Sequence, residues 1–195
     1  MRASTSATSK QQDMAALERE ARRQGIQVFG EGNLDAGLML VGEAPGKEEV
    51  MANRPFQGPA GKVLNRLLER SSIPRDQLWI TNVVKIRPVV DTGRGPVNRP
   101  PRASEVAAHQ GILREEIRII GPKVILCLGA TAASALIHPN FRIGEERGRW
   151  FSGPEGSRLM ATYHPSYLLR LRGAEYESAR DAMAADLLRA WAAAE

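Results

Sequence analysis

Cysteine is almost absent: the 195-residue chain has one, Cys127. A single thiol forms no internal disulfide, and alone it holds neither a cluster nor a structural zinc. A reducing, cytoplasmic setting fits that usage. Aromatic residues are few, at 5%, and the three histidines, His109, His138 and His164, lie far apart. Without cysteine partners they make a poor ligand list, so no metal site is expected. No stretch approaches the roughly 20 apolar residues that a membrane helix needs, so no membrane partner is expected. The opening MRASTSATSKQQ has no apolar core behind Arg2, which argues against a secretory signal. Residues 1–12 read instead as a disordered, solvated tail.

What is present is ordinary globular material. Hydrophobic residues make up 43% and charged residues 25%, which with this length points to one domain over residues 13–195 and a monomer. Lys and Arg number 27 against 22 acids, a surplus of +5 that mildly favours a polyanionic partner. The bases concentrate between Lys85 and Arg102, where Arg87, Arg94 and Arg99 face one acid, Asp91. Pro88, Pro96, Pro100 and Pro101 forbid a helix there, so the segment reads as a basic loop.

Elsewhere strand and helix patterns alternate. Apolar runs at Leu38–Val41, Leu78–Val84, Lys123–Leu128 and Leu159–Thr162 read as strands. Helical spacing covers residues 13–23, 61–70, 104–120, 130–137 and 176–194. The expected fold is therefore α/β: a single-domain three-layer sandwich with a central, mostly parallel four-stranded sheet flanked by helices. In such sheets ligands gather at the C-terminal strand ends. That rule brings together GEAPGKEE after the first strand, TNVVKIRP at the end of the second and YHPSYLLR after the fourth.

Each of these segments has a plain and a chemical reading. Gly42–Gly46 is not GxGxxG, and Gly58–Val63 lacks the Ser or Thr of a phosphate loop, so no nucleotide site is supported. Glu43, Glu48 and Glu49 read as helix-start acids or as ligand-facing carboxylates. Phe56 reads as a satellite core residue or a stacking surface. Asn82 lies inside an apolar strand and must have a partner, either a neighbouring loop or a ligand. His164 ends a strand, a better position for chemistry than those of His109 or His138.

Read together, the motifs resemble the uracil-DNA glycosylase superfamily, most nearly its family-4 type. The likeness runs through GEAPGKEE (42–49), RPFQGPAGKVL (54–64), TNVVKIRP (81–88), NRPP (98–101), PKVILCLGATAA (122–133), RGRW (147–150) and TYHPSYLLR (162–170). It implies a monofunctional enzyme that flips uracil, or another deaminated base such as hypoxanthine or xanthine, out of damaged single- or double-stranded DNA. The N-glycosidic bond is then hydrolysed and an abasic site is left for base-excision repair. A non-catalytic binder of uracil-containing or abasic DNA is the alternative.

The resemblance also implies roles. Glu43, Glu49 and His164 take the catalytic positions. Gly42, Ala44, Phe56 and Asn82 surround the base. Asn98 takes the place of a second loop asparagine at the DNA, and Leu168 stands as the wedge that fills the gap left by the flipped base; by their charge and placement Lys85, Arg87, Arg99 and Arg170, with Ser166, are expected to meet the DNA. Family-4 members carry a four-cysteine iron–sulfur cluster. Here Ile86 and His109 stand at two of the cysteine positions, and the pair expected near Met14–Leu17 is missing, so no cofactor is expected. A related branch bonds covalently to DNA through a histidine in the 85–102 loop; none lies between Val89 and Arg102, and that activity is not expected.

Overall fold

The computed structural model describes residues 3–195. Four parallel strands form its centre: β2 (Leu38–Gly42), β3 (Trp79–Asn82), β6 (Val124–Leu128) and β8 (Arg158–Thr162). Two further two-residue strands, β1 (Glu31–Gly32) and β7 (Phe151–Ser152), close the edges antiparallel. The sheet thus has six strands in the order β1-β3-β2-β6-β8-β7, rather than the four expected. Two-residue pairings carry no side-chain period, which is why pattern alone missed them. The basic loop holds a separate hairpin, β4 (Val89–Asp91) with β5 (Pro96–Asn98).

Alternation within each buried strand builds two cores. Met39 and Val41 of β2, Ile125 and Cys127 of β6, and Leu159 and Ala161 of β8 face one layer. That layer consists of α1 (Ala3–Arg23), α4 (Ala103–Ile120) and α5 (Ala130–Leu136). Leu38 and Leu40, Val124, Leu126 and Leu128, and Met160 face the other. Its helices are α3 (Pro59–Arg70), α7 (Pro165–Leu168) and α8 (Gly173–Ala194). Helices α2 (Lys47–Ala52) and α6 (Ile143–Glu146) are short connectors. No described helix is long and apolar enough to cross a membrane.

The N-terminal expectation needs correction, because residues 3–12 belong to α1 rather than to a tail. Lys10 anchors this part of the helix. Its Nζ donates to Ile120 O at 3.0 Å, at the C-terminal end of α4, and to Leu34 O at 3.2 Å, while pairing with Asp35 at 2.9 Å. A cation at a helix C-terminus meets unpaired carbonyls there, a contact invisible to local sequence. Met1 and Arg2 lie outside the described residues.

Candidate active site

The parallel register sets the site. Gly42 of β2 stands level with Asn82 of β3. Pairing continues past the strand ends, with Val83 N donating to Gly42 O at 2.9 Å and Val84 N to Glu43 O at 3.0 Å. On the other side Gly129 N donates to Thr162 O at 2.9 Å, which brings the start of α5 beside His164. Four strands therefore deliver Glu43, Asn82, Thr131 and His164 to one edge, where a cavity of about 280 Å³ opens.

Phe56 forms one wall. Its backbone is left-handed (φ 55°), a conformation costly for an aromatic residue and held here by close packing. Gly61 permits that packing, since any Cβ there would strike the Phe56 carbonyl. Gly42 permits the approach from the other side. A Cβ at 42 would lie 2.5 Å from Phe56 Cζ and would strike Asn82 Oδ1 as well. The Phe56 ring then lies 6.0 Å from the His164 ring, inclined by 31°.

Asn82 is 4% exposed and lines the cavity. Among the described residues its amide has no protein partner, so of the two sequence readings the loop tie is excluded. Glu43 is half-buried, and one carboxylate oxygen accepts from Thr131 Oγ1. The other faces the cavity without a protein hydrogen bond among the described residues.

His164 is fixed by its own helix start. Its Nδ1 accepts from Ser166 N at 3.2 Å, with Ser166 Oγ 2.8 Å away. A backbone N–H only donates, so Nδ1 is unprotonated and Nε2 carries the proton. Burial, with the Arg170 charge acting the same way and Glu49 opposing both, brings the imidazole pKa down to about 4. At neutral pH His164 is a neutral donor.

Several expected roles change. Glu49 lies at the cavity, but its carboxylate is committed to backbone. It accepts from Gly46 N at 3.0 Å, Gln57 N at 2.9 Å and Gly58 N at 2.8 Å. It ties the first motif to the Phe56 segment, a bracing position rather than a reacting one. Lys85 cannot meet phosphate. It is 0% exposed and pairs inside the protein with Glu116 and Thr81, because the chain turns inward after β3. Arg99 lines the cavity, yet its guanidinium is held bidentately by Glu105 at 2.7 and 2.8 Å, with Nε on Val89 O. Asn98 also lines the cavity and accepts from Arg87 Nε at 2.6 Å.

Leu168 is 2% exposed and packs into the core, whereas Leu169 is 42% exposed and lines the cavity. The one-residue offset arises because α7 turns its last residue inward. Ser166, Ala44 and Gly42 sit at the site as expected, Gly42 behind the wall and the other two in the lining; Arg170 is exposed beside it, 5.9 Å from the Tyr167 ring. Thr131, Gly129 and Leu169 were missed. The strand-end rule applied to LGATAA, after β6, would have found the first two.

The chain matches the family model for the Uracil DNA glycosylase superfamily over residues 29–189. It belongs to the uracil-DNA glycosylase superfamily. Relatives include the Type-4 uracil-DNA glycosylase of Thermotoga maritima, 45% identical over 76% of this chain and 74% of that protein. The Type-4 enzyme of Pyrobaculum aerophilum is 40% identical over 75% and 76%. A Type-5 uracil-DNA glycosylase from the same organism is 30% identical over 70% and 64%. This superfamily member is a hydrolase of N-glycosyl bonds, and its substrate is DNA.

Type-4 membership implies an iron–sulfur cluster, and the residues present do not fit one. The thiol of Cys127 is fully buried mid-sheet, its pKa pushed up to about 12 by burial. Met14 belongs to the first core, and Leu17 and Ile86 pack against it. His109 Nδ1 lies 2.6 Å from Glu105 O. Among the described residues no group of three or more His, Cys, Asp or Glu side chains is placed to hold a metal ion.

Proposed function

We propose that this glycosylase extrudes uracil from DNA into the cavity and hydrolyses its N-glycosidic bond without a metal-assisted step. The observation that carries the reading is Asn82: a buried amide with no protein partner, facing an aromatic-walled cavity. Its donor and acceptor open to the cavity and are free to pair with what enters it. Its Nδ2–H suits O4 of uracil and its Oδ1 suits N3–H; cytosine presents the reverse pattern. Hypoxanthine and xanthine share part of the same donor–acceptor edge and stand as secondary substrates. Phe56 offers a stacking face worth about 1–3 kcal/mol per base, which does not discriminate. Leu169, not Leu168, fills the space the base leaves, and extrusion costs a few kcal/mol, least at mismatches.

Cleavage gives the sugar positive character and the departing base negative charge. Glu43, held by Thr131 and open on its second oxygen, stabilises the sugar cation and orients water. The neutral His164 directs Nε2–H at O2 of the leaving base. A neutral donor needs no proton release to stabilise the anion, and its geometry is preset by Ser166.

The test is single-turnover base release beside equilibrium binding to uracil-containing oligonucleotides. Glu43→Ala and His164→Ala are expected to lower the chemical rate with binding largely intact, because both act on charge that exists only in the transition state. Asn82→Ala should cost about 1–3 kcal/mol, roughly ten- to a hundredfold, and shrink the preference for uracil. Full rates in both Glu43→Ala and His164→Ala would overturn this mechanism.

A further inference from the structure

The hairpin β4–β5 stands at the cavity mouth. Pro88, Asn98 and Arg99 belong both to its base and to the cavity lining. That base is stiff: Arg99 N donates to Pro88 O at 3.1 Å and Arg99 Nε to Val89 O at 3.0 Å, with Arg87 bridging to Asn98. Beyond it the hairpin projects without cover. Val90 and Val97 are cross-strand partners on one face, 48% and 51% exposed. A cross-strand valine pair contributes at most about 1 kcal/mol to a ribbon, a small return for so much apolar surface left in water.

The tip is shaped to present a cation. Asp91 accepts from Gly93 N at 2.9 Å, and Thr92 Oγ1 donates to Gly95 O at 3.1 Å. Gly93 and Gly95 adopt φ of 75° and 109°, positions where a side chain would be strained. Arg94 between them is exposed, and among the described residues it has no ion pair. Val89–Asp91 and Pro96–Asn98 are the extended arms, each about 10 Å long at roughly 3.4 Å per residue, and the 92–95 turn carries Arg94 at their far end.

We infer that this hairpin is a second DNA-contact element, its valine pair lying on the strand beyond the nucleotide next to the extruded one and Arg94 on a phosphate further along. The inference rests on the cavity being a base pocket. Three features select DNA as the occupant: continuity with the cavity lining, a lone unpaired cation at the tip, and an apolar pair sized for sugar and base faces. A protein partner needs about 800 Å² on each side, far more than two valines and a turn provide.

The test uses the full chain, a long single-stranded oligonucleotide with one uracil, and a trinucleotide with a central uracil. Val90→Ser/Val97→Ser should weaken binding of the long strand about five- to tenfold. Arg94→Ala should reduce the slope of log affinity against log salt by about 0.7. Both variants should match the parent in maximal single-turnover rate and in trinucleotide cleavage. Unchanged binding of the long strand overturns the inference, as does an equal loss on the trinucleotide. A parent that self-associates through the valines, becoming monomeric in the double variant, also overturns it. The binding arm reads the hairpin even if the parent releases no uracil; that failure would count against the base-pocket assignment instead.

Discussion

Gly42 shows how a residue without a side chain governs the site. Its missing Cβ is the space in which Phe56 and Asn82 meet the end of β2. Gly42→Ala should therefore leave a folded protein with Phe56 and Asn82 displaced. A displacement approaching 1 Å at a preorganised site costs on the order of a hundredfold in rate. Circular dichroism and single-turnover base release, read together, check this; an active Gly42→Ala enzyme would deny the close packing any function. His164 makes a second residue-scale prediction. Its pKa is lowered to about 4, so the folded protein holds fewer protons there than the unfolded chain between pH 4 and 6.5. Stability contributed by the neutral imidazole is complete above pH 6.5 and is lost as pH falls toward 4. Nitrogen-resolved NMR should find the His164 ring titrating near pH 4 with Nε2 protonated at neutrality. A ring titrating near 6.5 would remove the neutral-donor role.

At the scale of elements, the buried pair of Lys85 and Glu116 joins the end of β3 to α4. Glu116 also accepts from Gly30 N at 3.1 Å and Thr81 Oγ1 at 3.1 Å, so three donor groups close on one carboxylate. Burial alone lowers the Lys85 pKa, and the Glu116 charge and hydrogen bond oppose that shift. Removing one partner leaves the other charge buried and unpaired, at a cost of about 3–5 kcal/mol. Lys85→Met should show that loss in urea unfolding, and Lys85→Met/Glu116→Leu should recover most of it. If Lys85→Met instead keeps its stability and loses affinity for DNA, Lys85 is a phosphate contact after all. Both partners touch Thr81, the residue before Asn82, so the same network that removes Lys85 from the surface holds the end of β3 in place.

At the scale of the whole molecule, apolar side chains occupy the region where relatives of the Type-4 kind imply a cluster. Met14, Leu17 and Ile86 join α1 to the α4 layer through ordinary packing. Activity and melting temperature should therefore be indifferent to iron chelators, and metal analysis of purified protein should find no stoichiometric iron. Stoichiometric iron, or activity lost on chelation, would overturn the account of how α1 and α4 are held together.

The four central strands, the presence of helices flanking a mostly parallel sheet and the convergence of Glu43, Phe56, Asn82 and His164 were legible in the sequence. Period-two burial and the rule for strand ends are local and topological properties, and local pattern carries both. The ordered motifs also carried the family. What only the tertiary structure decided concerns where long side chains end. Lys85 and Arg99 are basic in sequence and internally paired in space, because acids 31 and 6 positions away close on them. Leu168 and Leu169 are the same residue type side by side, and only the rotation of one short helix sends the first into the core and the second to the cavity. Composition assigns a charge or an apolar surface to a residue, but pairing and burial are properties of neighbours distant along the chain.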